Sequence, residues 1–215
     1  SKALDYFKKS LKLDLSFFGE NHPEVASGYY NIGYVYFAQG DYSKALEYFE
    51  EVLKIRLSVY GENHSRVASV YNDIGEIYSV QGDDFKALDY FKKSLKIVLS
   101  VYGENHSQVS SIYDHIGEIY FAQKDYSKAL YYFEESLKIR LSLFGENHPE
   151  VALSYYSIGS LYIIQGDKSK ALNYYEKSLK IRLSVYGENH PLTKEIMDLI
   201  NVANSKVLQS PETTK

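Results

Sequence analysis

"VYGENHSRVASVYNDIGEIYSVQGD", residues 59–83, holds the reading that decides the fold. Its Gly61-Glu62-Asn63-His64 is one of five copies of a four-residue word beginning at residues 19, 61, 103, 145 and 187, always 42 residues apart. Self-similarity at a fixed period of this size marks a repeat array, not a chain folded around one central core. After the word, Val67, Val70, Tyr71, Ile74, Ile77 and Tyr78 recur at helical spacing until Gly82, which predicts a helix over 65–81. Before it, Leu46, Phe49, Leu53 and Leu57 form an apolar stripe widened by Ala45, Val52 and Tyr60, which predicts a helix over 42–60. Asp41 is placed to cap that helix and to meet its positive end, and Gly61 can take the left-handed backbone that closes it.

Carried along the chain, this template predicts about ten helices joined by short corners, with no strand and no linker. Residues 1–208 read as one array: a lone second helix at 1–18, helix pairs at 23–60, 65–102, 107–144 and 149–186, and a C-terminal capping helix at 191–207. Residues 209–215 read as a disordered tail. Ser1-Lys2-Ala3-Leu4 matches Ser43-Lys44-Ala45-Leu46, so the chain is expected to start inside a repeat of a longer array. Glu50 with Lys54, repeated at Glu134 with Lys138 and Glu176 with Lys180, predicts acid–base pairs on a solvated helix face.

Composition narrows the function classes. With 45% hydrophobic residues and 23 Tyr the chain has the apolar surface to fold. A net charge of −4 argues against nucleic acid or an anionic membrane as the main partner, since both call for a basic stripe. The absence of Cys removes disulfides and thiolate sites and suits a reducing, cytoplasmic setting. No apolar run is long enough to span a bilayer.

The Glu and His of the repeated word could be metal ligands. Packed helices lie about 8–10 Å apart, however, so histidines of successive corners cannot share one ion. The corner reading is structural: Gly ends one helix, and Asn or His helps start the next, with Pro23, Pro149 or Pro191 in its first turn. Ser65 and Ser107 replace the proline in the middle repeats and are expected to offer a capping hydroxyl. Asn63-His64-Ser65 and Asn105-His106-Ser107 match a glycosylation pattern but read as products of that corner. His115, beside Asp114, has no nucleophile or third group at a catalytic spacing and is expected on the surface. No catalytic constellation, metal site or cofactor motif emerges, so the chain reads as non-enzymatic.

"YNDIGEIYSVQGDDFKALDYFKKSLKI", Tyr71 to Ile97, resembles a tetratricopeptide repeat, with Gly75 and Ala87 at the small positions and Tyr78 and Phe91 at aromatic ones. The length of 42 residues and corners such as "FGENHPEVA" are similar to the repeats of kinesin light chains. The resemblance implies an all-α, right-handed superhelical solenoid of antiparallel helix pairs that binds a protein or peptide partner. It also implies that the first helix of each pair lines a concave wall.

The residues that change from repeat to repeat on that wall are the candidate partner-binding set: Tyr30, Asn72, Asp114 and Tyr156 in one register, and Asn31, Asp73 and His115 in the next. A turn on come Tyr34, Glu76 and Glu118, then Phe37 and Phe121. In the second of these registers only Asn31 supplies the amide that the resemblance associates with clasping a peptide backbone. Asp73, Glu76, Asp114 and Glu118 with aromatic edges predict a trough for a basic segment. The alternative is end-to-end self-assembly through exposed terminal helices.

Overall fold

The computed structural model describes residues 2–205. They form α1 (Lys2–Phe18), α2 (Pro23–Ala38), α3 (Tyr42–Tyr60), α4 (Ser65–Val80), α5 (Asp84–Tyr102), α6 (Ser107–Ala122), α7 (Tyr126–Phe144), α8 (Pro149–Ile164), α9 (Lys168–Tyr186) and α10 (Pro191–Ser205), with no strand among the described residues. The expected all-α array of helix pairs is therefore the observed one. The last two positions expected in the capping helix and the whole expected tail lie outside the described residues.

The chain divides into two compact modules at Glu104/Asn105. In the N-terminal module α1 packs on α2, α2 on α3, α3 on α4 and α4 on α5. In the C-terminal module the same succession runs from α6 on α7 to α9 on α10. Val25, Ile32, Phe49, Val52, Ile55, Val70, Ile74 and Ile77 form the core of the first. Phe133, Val151, Ile158, Leu161 and Ile181 belong to the core of the second. Ile55 lies outside the predicted stripe, whereas Leu46 and Leu53 are only partly buried. The reason is that α3 contacts both its own partner α2 and the following α4, so its buried face is wider than a single apolar stripe.

Two kinds of cap set the register. Asp41, Asp83, Asp125 and Asp167 cap α3, α5, α7 and α9, each accepting the backbone N–H three residues on and pairing with that residue's ammonium. At the other corner the cap is the histidine, not the serine. The Nδ1 atoms of His22, His64, His106, His148 and His190 accept the backbone N–H two residues on at 3.1–3.2 Å. Ser65 and Ser107 sit one position too late, inside the helix, to serve as caps. Stacking holds the imidazoles in place: the His64 ring lies 4.6 Å from Tyr60, and His22, His148 and His190 lie 4.4, 4.4 and 4.5 Å from Phe18, Phe144 and Tyr186.

Gly61 has the expected positive φ of 77°, but its ψ of 171° places it outside the left-handed helical well, in backbone space that only glycine enters readily. The small position inside the pair is equally demanding. A Cβ on Gly75 would lie 2.8 Å from Cε1 of the buried Phe91 ring, and one on Gly117 2.7 Å from Phe133. The expected pair Glu50–Lys54 is replaced by an exposed Glu51–Lys54 contact of 3.6 Å, and Glu134–Lys138 by Glu135–Lys138 at the same distance.

Candidate functional site

In the N-terminal module the candidate positions gather on α2 and α4. Tyr30 packs on Phe49 at 5.4 Å, and the Arg56 guanidinium lies 5.3 Å from the Tyr30 ring centre. The Tyr30 hydroxyl hydrogen-bonds Asp73, and its own pKa is pushed up to about 12, first by burial and then by the Asp73 charge. Tyr34, Phe37, Phe49, Asp73 and Glu76 line one small recess. Asn72 Nδ2 donates to Glu76 Oε1 at 2.6 Å. Asp73 Oδ2 is enclosed without a hydrogen-bond partner. Burial, reinforced by the Glu76 charge, raises the Asp73 carboxyl to about 7, against the opposing influence of Tyr30 and Arg56. Glu76 is also raised, by burial above all. Tyr34, 58% exposed, is the solvent-facing wall of this recess, and Asn31 is exposed.

In the C-terminal module the same registers are wired differently. Asp114 Oδ2 meets Arg140 Nη1 at 2.7 Å, and Arg140 also reaches Glu150 at 3.0 Å and the Ser154 hydroxyl at 2.8 Å. Burial still raises the Asp114 carboxyl, with the arginine acting against it. Asp114 is thus bound into a framework ion pair and is not an open acid. His115 is not a surface histidine as expected but half-buried, its pKa lowered by burial and then by Arg140. Glu118 is exposed, and Phe121 packs on Tyr126 at 6.0 Å. Tyr156 donates to Glu195 at 3.0 Å and lies beneath Arg182, 5.0 Å from its ring centre.

Two patterns escaped the sequence reading. Position 26 beyond the first wall register is Arg56, Val98, Arg140 and Arg182, and the three arginines meet Tyr30, Asp114 and Tyr156. The arginine is present where it can stack on Tyr or pair with Asp and absent where the partner is Asn, a correlation visible once the repeats are aligned. The second pattern is a tyrosine trio in each repeat, such as Tyr29, Tyr48 and Tyr36, with Tyr48 6.0 Å from Tyr29 and 5.5 Å from Tyr36. No group of three His, Cys, Asp or Glu residues that could hold a metal ion occurs among the described residues. No described helix is long and apolar enough to cross a membrane.

A sequence model of the tetratricopeptide repeat matches residues 1–58, 27–97, 66–142 and 108–184. The chain belongs to the tetratricopeptide-repeat family. Among solved structures, one of similar fold is BtubC (BKLC) from P. vanneervenii, 17% identical, TM-score 0.76, covering 100% of this chain and 94% of that one. A kinesin light chain of P. anserina with nearly identical TPR-like repeats is 16% identical, TM-score 0.71, covering 86% and 88%. The apo form of RapI is 18% identical, TM-score 0.72, covering 85% of this chain and 64% of that one. At these identities the likeness is one of fold. Among curated proteins no sequence matches. Tetratricopeptide-repeat proteins are generally protein-interaction scaffolds.

Proposed function

We propose that the chain is a non-catalytic scaffold that holds a peptide or helix of a cytoplasmic partner protein along its first-helix positions, and that the segment it holds is basic. The observation that carries this reading is the recess of Tyr34, Phe37, Phe49, Asp73 and Glu76, where two carboxylates stand among aromatic walls beside an exposed Tyr34. Keeping Asp73 half-buried, with one oxygen enclosed and unpartnered and its pKa near 7, costs stability. Such retained costs cluster at functional sites. In the C-terminal module Glu118 is the exposed acid of the same register, while Asp114 is already neutralised by Arg140.

The test uses a fluorescent lysine- and arginine-rich amphipathic peptide, titrated at low and high salt into the wild type and a Glu76→Gln/Glu118→Gln variant. Several-fold weaker binding and a flatter salt dependence in the variant are expected, since exposed charge pairs are screened. Equal affinities at both salts would overturn the basic-segment reading. Self-association is favoured by one observation: α1 buries only Leu11 and leaves Tyr6, Leu13 and Phe17 exposed at 73%, 59% and 79%. Light scattering across a concentration series separates the two, because a scaffold keeps constant mass and a self-assembling module does not.

A further inference from the structure

Each repeat packs a tyrosine of its first helix, tilted, against one of its second. The pairs Tyr29–Tyr48, Tyr71–Tyr90 and Tyr155–Tyr174 are nearly superimposable in geometry, with centroids 6.0, 5.9 and 6.0 Å apart and planes at 46°, 45° and 48°. What covers them differs. In the second repeat the Lys93 ammonium lies 4.8 Å from the Tyr90 ring centre and 6.0 Å from that of Tyr71, and is held at 2.7 Å by Asp89. In the fourth repeat the Lys177 ammonium takes the same place, 5.3 Å from Tyr174 and 5.4 Å from Tyr155. The chain itself thus shows, twice, that this tyrosine pair receives a primary ammonium.

In the first repeat the residue at the Lys93 register is Glu51, and the one at the Asp89 register is Glu47. The lysine is gone, the tyrosine pair keeps its geometry, and Tyr29, Tyr48, Glu47 and Glu51 line a shallow, open cleft of about 250 Å³. Glu51 stands close enough to Tyr29 for its charge to raise the phenol's pKa, after burial. It also touches Lys54 at 3.6 Å, but both side chains are exposed, and such a pair contributes little. The third repeat also has a glutamate, Glu135, at the Lys93 register, and differs at the Asp89 register, where Tyr131 packs edge-on against Tyr132 at 5.2 Å.

We propose that the Tyr29–Tyr48 cleft is a socket for an alkylammonium group, the lysine side chain of a partner protein, which takes the place over the rings that internal lysines occupy in the second and fourth repeats and is met there by the Glu47 and Glu51 carboxylates. The attraction is cation–π plus charge, in a framework whose geometry is already set. The socket shares no residue with the recess of Tyr34, Asp73 and Glu76, so it stands or falls independently of the basic-segment reading.

The experiment follows the ring signals of selectively labelled tyrosines by NMR while Nα-acetyl-lysine-N-methylamide is added. Tyr29 and Tyr48 are expected to shift saturably, Tyr71 and Tyr90 are not, and the norleucine analogue, which lacks the ammonium, should do nothing. Glu51→Lys supplies the residue that two sister repeats already carry, so the variant should fold, and it should weaken the response at Tyr29 and Tyr48 by about tenfold or more. Absence of shifts in the wild type, equal shifts with norleucine, or an undiminished response in Glu51→Lys would each overturn the socket. A response to cadaverine at about tenfold lower concentration than to the lysine derivative would overturn the assignment to a protein lysine in favour of a small free amine.

Discussion

The helix pairs α4–α5 and α6–α7 are built on the same frame and do opposite things with their acids. Gly75 and Gly117 meet Phe91 and Phe133 in the same way, and both pairs carry the same caps. Yet Asn72 faces a repeat whose corresponding second-helix residue is Val98, whereas Asp114 is clasped by Arg140 at 2.7 Å. Asp73 is left enclosed with its pKa raised to about 7. Asp73 and Asp114 stand one register apart on equivalent helices, and the state of each is not a property of its own helix. Whether either is a framework ion pair or a poised group is decided by the helix packed against it.

The largest effect should come from attacking what the two pairs share. Gly75→Leu and Gly117→Leu each force a side chain into a buried aromatic ring and should destabilise by about 3 kcal/mol or more, in near-equal amounts. A loss below about 0.5 kcal/mol by chemical denaturation at either site would break the claim of a common frame. Next, Arg140→Val strands Asp114 and should cost about 2–3 kcal/mol, less than for a wholly buried pair because Glu150 remains half-exposed. Adding Asp114→Asn reproduces the Asn72/Val98 combination of the preceding repeat and should recover most of that loss.

The third prediction concerns Asp73 and pH. Its folded pKa lies near 7, above the value of about 3.9 for an unfolded aspartate, so the folded chain binds the extra proton between those values. The associated stability is complete below about pH 4 and is lost as the pH rises through about 7. This contribution should accordingly fall from pH 5 to pH 8, with Glu76 acting in the same direction and His115, whose pKa burial lowers, acting against both. Asp73→Asn should flatten the decline and exceed the wild type by about 1–3 kcal/mol at pH 8, with little difference at pH 4. Parallel profiles for the two proteins would show that Asp73 is not the poised group.

The smallest effect distinguishes the corners. Lys124 holds a φ of 62° at the register where Gly40, Gly82 and Gly166 have φ of 76°, 77° and 83°. A left-handed residue with a Cβ is strained, so Lys124→Gly should raise stability by about 1 kcal/mol. The same change at a surface lysine inside a helix should lower it by a similar amount.

The frame was legible because its causes are local and repeated. The period, the Asp caps and the apolar spacing placed α3 within its observed ends and α4 within one residue at its C-terminus. The close approach at Gly75 was legible for the same reason. The wiring of the wall was not, because Asp114 and Arg140 lie on different helices, and nothing in either helix alone reports the other. At the proline corners histidine was one of the two groups expected to start the helix; in the middle repeats, where Ser65 and Ser107 were preferred, it was missed on a single-position ambiguity. Serine is the commoner capping residue, but extended backbone at His64 and a stacked Tyr60 make the imidazole the group in reach of the Arg66 N–H.

That cap fixes the chemistry of the imidazoles themselves. A nitrogen that accepts a backbone N–H bears no hydrogen, so the neutral rings of His22, His64, His106, His148 and His190 are held as the Nε2–H tautomer. Nitrogen-15 shifts should show five rings with the same protonated nitrogen. Each ring spends its only lone pair on the corner, and what it turns outward is a donor. The repeated Glu and His that look so much like a ligand set therefore offer an incoming cation no free electron pair from the imidazole unless a helix start is first undone.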